Sequence, residues 1–227
     1  MAADGGLIRR MVDAMKNPNL TLSGADLAAL LASRICHDVV NPIGAAGNGL
    51  ELLDEGGMDE DALQLIRQST LSATIHLKFA RIAFGASGTL DTPLDTGEAE
   101  TAARDLIGLG KRVTLNWSGP RINAPKNRVK LLLNLFLVAQ STIPRGGTID
   151  VGLDAAGDIF AFIIRTRGNY VQMPADFARI YGGVMDDPIT SHNVQPYYTA
   201  LLAEESGMAI EFVVNDGEVV FEAKPAA

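Results

Sequence analysis

Residues 34–42 read Arg34-Ile35-Cys36-His37-Asp38-Val39-Val40-Asn41-Pro42, a histidine followed at once by an acid and then by Asn and Pro. A neutral imidazole nitrogen is nucleophilic near neutral pH, and an exposed one can meet a phosphoryl donor on another protein in line. Asp38 can accept a hydrogen bond from the ring, which fixes the tautomer and raises the nucleophilicity of the other nitrogen. The pattern reads as a site where phosphate is carried on His37. A lone histidine near a helix kink is more often an ordinary surface residue. The His-Asp-x-x-Asn-Pro spacing moves the balance to function.

A helix must position this histidine. Leu27, Leu31, Ile35, Val39, Ile43, Ala46, Leu50 and Leu53 recur three or four apart and predict one apolar stripe. At about 100° per residue, His37 lies roughly 160° from Ile35 and Val39, so it points away from that seam. Pro42 removes one backbone donor and is expected to bend the helix just past the site. Arg34, one turn before His37, is placed to steady a phosphoryl group, with a solvated helix charge as the plainer reading. Asn41, one turn after, is placed to orient a phosphoryl oxygen or to face solvent. Gly44, Asn48 and Glu51 continue the face of His37, and Gly44, Ala45 and Gly47 make low relief where a partner helix can approach. Glycine in mid-helix costs up to about 1 kcal/mol against alanine, so Gly44, Gly47 and Gly49 need compensation.

Asp54-Glu55-Gly56-Gly57 predicts a turn, and Asp59 a cap for a second helix. There Leu63, Ile66, Thr70, Ala73, Leu77, Ala80 and Phe84 follow a heptad-like spacing. Such a hairpin cannot bury both faces alone. Pairing with a second copy into a dimeric four-helix bundle is expected, the alternative being packing against the rest of its own chain.

From Gly88-Thr89-Leu90-Asp91-Thr92-Pro93 onward the pattern changes to mixed helices and strands. Helices are expected at 98–109, 126–141, 174–181 and 195–206, and strands at 113–117, 148–153, 159–164, 210–214 and 219–223, the last two joined through Asn215-Asp216-Gly217. The expected fold class is therefore α+β. Residues 1–20 form an N-terminal extension, 21–88 the helical hairpin and 89–227 an α/β domain.

Composition excludes several classes. A net charge of −8 and no basic stripe with interleaved aromatics argue against nucleic acid. No apolar run approaches the roughly 20 residues of a membrane span, and the N-terminal segment lacks a signal peptide's apolar core. The lone Cys36 excludes an intrachain disulfide framework and suits a reducing cytoplasm; facing about 100° from His37, it is expected to pack at the hairpin's flank. His76 and His192 belong to no cluster at metal-ligand spacing and read as structural or exposed. Tyr197 and Tyr198 read as packing of the last helix, with a partner contact as the alternative.

The His37 box resembles that of two-component sensor kinases, and the later segment resembles their ATP-binding domain. Leu131 to Ala139, followed by Gly146-Gly147-Thr148-Ile149, matches the frame of the kinase asparagine box through Asn134. The departures bear on function. Where the resemblance implies a second, magnesium-holding asparagine, Val138 offers no oxygen. Where an adenine-reading acid is implied, Ile163-Ile164-Arg165-Thr166-Arg167-Gly168-Asn169 has none, and Arg165 presents only donors. The glycine-rich lid is replaced by Ser191-His192-Asn193-Val194-Gln195-Pro196-Tyr197-Tyr198.

A phospho-acceptor hairpin joined to a degenerate nucleotide domain resembles the ChpT-type histidine phosphotransferases of bacterial cell-cycle phosphorelays, over about residues 26–223. The resemblance implies a cytoplasmic homodimer that takes phosphate from the receiver aspartate of a hybrid histidine kinase and passes it to response regulators. It implies no cofactor of its own, with Mg2+ on the partner receiver. The alternatives are a non-catalytic dimeric adaptor for receivers and a divergent ATP-dependent kinase.

Overall fold

The computed structural model describes residues 20–55, 60–85, 92–155 and 160–226. The Gly56-Gly57 turn, Asp59, the 88–91 part of the linker, most of the 154–158 turn and nearly all of the N-terminal extension lie outside the described residues.

Two antiparallel-packed helices come first, α1 (Gly24–Asp54) and α2 (Glu60–Ala83). Ser23 starts α1 by accepting a 3.1 Å hydrogen bond from the Asp26 amide, which satisfies one of the helix's free N–H groups. Helix α1 runs through Pro42 without interruption; the ring has no N–H to give to the Asp38 carbonyl one turn earlier.

The seam between the helices differs from the expected stripes. On α2 the buried residues are Ala62, Ser69, Ala73, Phe79, Ile82 and Ala83, while Thr70 and Leu77 are exposed. On α1 the buried pair is Val39 and Gly49, and Ile43 and Leu50 face outward. Small residues explain the shift. A Cβ built on Gly49 would stand 2.7 Å from Ile66 Cγ1 and 3.2 Å from the Ala62 carbonyl, so Gly49, Ala62 and Ser69 let the backbones approach more closely than a leucine seam allows. Ile43, Leu50 and Leu77 of the expected stripes are exposed, as are Val40, Leu52 and Leu71.

The remaining elements are β1 (Leu94–Asp95), α3 (Thr96–Gly108), β2 (Val113–Ser118), β3 (Asn123–Ala124), α4 (Lys126–Ser141), β4 (Gly147–Asp154), β5 (Ala161–Arg167), α5 (Ala175–Tyr181), α6 (Val194–Glu205), β6 (Met208–Asn215) and β7 (Glu218–Pro225). Five strands form one sheet in the order β2-β4-β5-β7-β6, with β2 and β4 parallel and the other pairs antiparallel; β1 and β3 make a separate short ladder. Strand burial alternates, so one face meets helices α3, α4 and α6 and the other is solvated. Helix α4 packs on β5 and against its neighbour α6 and is buried nearly all round. Between α4 and β4 the chain turns at Gly146 and Gly147, with φ of 94° and 152°; a Cβ at Gly146 would collide with the Arg112 backbone.

Hairpin and sheet layer share one core. Phe79, Ile82 and Ala83 of α2 join the cluster built on Leu131, Leu132, Leu135, Phe136, Ile149, Ile164 and Phe221. Helix α6 is tied to the open end of the hairpin: the Tyr197 hydroxyl accepts from the Leu22 amide at 3.0 Å, and the Tyr198 ring lies 5.9 Å from Phe84. Among the described residues no helix is long and apolar enough to cross a membrane.

Candidate functional site

His37 lies in the middle of α1 with its side chain 64% exposed. Its Nδ1 stands 3.4 Å from Asp38 Oδ1, and the second oxygen of the same carboxylate accepts from Arg34 Nε at 3.0 Å. Asp38 is thus a bridge between a cation and the ring. With Nδ1 turned to the carboxylate, Nε2 is the ring nitrogen free of that contact, and such a nitrogen can serve as a nucleophile. Arg34, placed by sequence as a steadying cation, already has one of its five donors on Asp38. Asn41, Gly44, Asn48 and Glu51 are all exposed farther along the helix. A Cβ at Gly44 or Gly47 would meet nothing within 4 Å, whereas Gly49 is held by the seam, so only the first two form low relief toward solvent. Cys36 is exposed, not packed as expected at the hairpin's flank.

Sequence reasoning missed one neighbour. His192, from the turn before α6, places its ring edge-on to His37 with centroids 6.3 Å apart. Arg34, His37, Asp38, Ser191 and His192 together line a cleft of about 200 Å³. The two histidines are far apart in sequence, and only the tethering of α6 to the hairpin brings them together. The available signal was the lid-like position of the Ser191–Tyr198 segment in the resemblance. His76 is half-buried, its Nδ1 2.8 Å from the Ser72 carbonyl, and borders a neighbouring cavity with Arg34, Asp38, Phe79 and Gln140.

Asn134 and Val138, the two residues matched with the kinase asparagine box, are both buried. Asn134 is fully buried; its amide donates to the Ala83 and Lys130 carbonyls at 2.9 Å each, and Gln195 donates to the Asn134 carbonyl at 2.8 Å. Val138 is core, and α6 packs along α4 across this surface. Arg165, singled out as the residue in place of the adenine-reading acid, lies on the solvated sheet face, 3.2 Å from Glu218. The residue facing the core there is Thr166, whose hydroxyl is 2.7 Å from that of Thr142; the strand's two-residue alternation separates the neighbours. Burial pushes the Tyr198 phenol up to about 12, with the Glu205 charge adding to the effect. Among the described residues no group of three or more His, Cys, Asp or Glu is placed to hold a metal.

Residues 96–218 match the family model for the histidine phosphotransferase C-terminal domain. The chain is 46% identical over 206 residues to protein phosphotransferase ChpT of Brucella abortus (strain 2308), covering 90% of this chain and 98% of that protein. It also resembles a solved structure of a bacterial phosphotransferase at 1.7 Å, with a TM-score of 0.85, 46% identity, and coverage of 92% of this chain and 100% of the other.

Proposed function

This chain belongs to the ChpT-type histidine phosphotransferases, and from that premise we propose that it relays a phosphoryl group through His37. The group arrives from the receiver aspartate of a hybrid histidine kinase and leaves for the receiver domains of response regulators. The observation that carries this reading is the exposed His37 ring with Nδ1 beside Asp38, which leaves Nε2 free of that contact.

In the accepting step Nε2 attacks phosphorus, the N–P bond forms, and the O–P bond of the aspartyl phosphate breaks, its electron pair staying on the receiver's carboxylate. The ring gains positive charge, and the Nδ1 proton remains directed at Asp38, which stabilises it. Return transfer runs the same path backward. Asn41 is read as a polar contact for the phosphoryl group or an attacking water. Gly44, Asn48 and Glu51 are read as the strip along which the receiver docks, supported by their exposure in line with His37 and by the open space over Gly44. Mg2+ belongs to the partner receiver in this reading, and this chain holds no cofactor.

No ATP enters the scheme. That reading is supported by Asn134, whose polar atoms are taken up inside the protein, and by Val138, which has no oxygen for a metal. A homodimer is supported by the exposed apolar side chains Val40, Ile43, Leu50 and Leu77 on the two helices, surface of the kind a second hairpin covers. The free thiol of Cys36 fits the reducing cytoplasm that the scheme implies. The test is to mix the protein, without ATP, with a receiver domain carrying labelled aspartyl phosphate. Label on the wild type but not on His37→Ala is expected. Receiver binding without label on either would favour a non-catalytic adaptor.

A further inference from the structure

We propose that the turn Ser191–Asn193 supplies two of the donors that hold the phosphoryl group at His37, the Ser191 hydroxyl and the His192 ring. The inference rests on His37 being the phospho-acceptor, and it assigns the α/β domain a direct part in the chemistry.

The hairpin alone is short of donors. A phosphoryl group brings up to about two negative charges and three acceptor oxygens. Against it the hairpin sets Arg34, which is already paired with the Asp38 carboxylate at 3.0 Å. The charge of that pair cancels, so the cleft needs donors from elsewhere. Ser191 and His192 complete its wall opposite α1, and the 6.3 Å edge contact puts the second imidazole within one phosphate's width of the first. Among the described residues neither the Ser191 hydroxyl nor the His192 ring nitrogens have a hydrogen-bond partner, whereas nearly every polar side chain around them has one.

The turn is also braced. Asn193 is buried; its Oδ1 accepts from the Thr190 amide at 2.7 Å, and its Nδ2 donates to the Pro188 carbonyl at 3.3 Å. The Thr190 hydroxyl in turn accepts from the His192 amide at 3.3 Å. Behind it, Tyr197 and Tyr198 fix α6 to Leu22 and Phe84 of the hairpin. A donor held by such bracing loses little entropy when the phosphoryl group arrives. His37 stays open on its outer side, which leaves the in-line approach to the receiver.

The test uses the full-length protein and two phosphoryl donors: phosphoramidate, which needs no docking surface and releases ammonia as Nε2–P forms, and a receiver domain carrying aspartyl phosphate. Ser191→Ala and His192→Ala are each expected to slow phosphoramidate labelling of His37 roughly tenfold, the scale of one lost hydrogen bond to a charged group. Receiver-driven transfer should slow to a similar extent with KM unchanged. Ser191→Thr, which keeps the hydroxyl, should restore the rate. His192 is exposed, so His192→Ala should melt with the wild type, separating this role from a structural one. Variants that match wild type with phosphoramidate but are slow with the receiver would make the turn a docking contact and overturn the proposal. Variants equal to wild type with both donors would overturn it as well. A wild type that takes label from neither donor would instead remove the premise that His37 is the acceptor.

Discussion

Two glycines on one helix should respond oppositely to the same substitution. At Gly44 an added methyl meets nothing within 4 Å, so Gly44→Ala gains helix propensity alone, about 1 kcal/mol. For a chain of this size that raises Tm by about 2–4 °C. At Gly49 the same methyl would stand 2.7 Å from Ile66 Cγ1 and 3.2 Å from the Ala62 carbonyl. The propensity gain remains, but overpacking costs about 1–3 kcal/mol, because the backbone carbonyl cannot yield as the Ile66 side chain can. The net for Gly49→Ala is a loss of roughly 0–2 kcal/mol. The two variants should therefore differ by about 1–3 kcal/mol in thermal or urea unfolding at one fixed protein concentration, since dimer formation would make stability concentration-dependent. Equal shifts, or a more stable Gly49→Ala, would refute the close seam and with it the placement of His37 on the outer face. Gly44→Leu extends the test to docking: stability should hold while transfer from a phosphorylated receiver slows.

Asn134→Ala should cost about 1–3 kcal/mol in urea unfolding, because the buried Ala83 carbonyl loses the Asn134 amide as its donor. Stability should also fall as pH rises from about 10 to about 12: unfolded tyrosine ionises near 10, while the native Tyr198 keeps its proton to about 12. In that window the native state binds more protons than the unfolded one. Tyr198→Phe should reduce the slope of unfolding midpoint against pH between those values. Titration with an ATP analogue and Mg2+ should leave Tm unchanged, where binding at 100 times Kd would add about 2.7 kcal/mol.

Much of this organisation was legible in the sequence. Helix α4 begins and ends where its apolar run and the Pro-Arg-Gly-Gly break place it, and β6 and β7 pair Val214 with Val219 as the Asn-Asp-Gly turn requires. Local signals of this kind depend only on neighbouring residues. On α2 Ala73 is buried as the heptad count places it, but Ala62 and Ser69 are buried beside the expected Leu63 and Thr70, because leucines dominate such a count while close helix packing is decided by small residues. Which of Arg165 and Thr166 faces the core depends on register with β4 and β7, which the local sequence does not encode. The approach of His192 to His37 depends on how α6 sits on the hairpin, a contact no local pattern encodes.

Mass spectrometry at neutral to basic pH, on protein reacted with a phosphorylated receiver in the absence of ATP, would map the phosphate directly. Phosphohistidine is expected on the peptide containing His37 and none in His37→Ala. Phosphate on another residue, or on His37 only when ATP is supplied without a receiver, would contradict it.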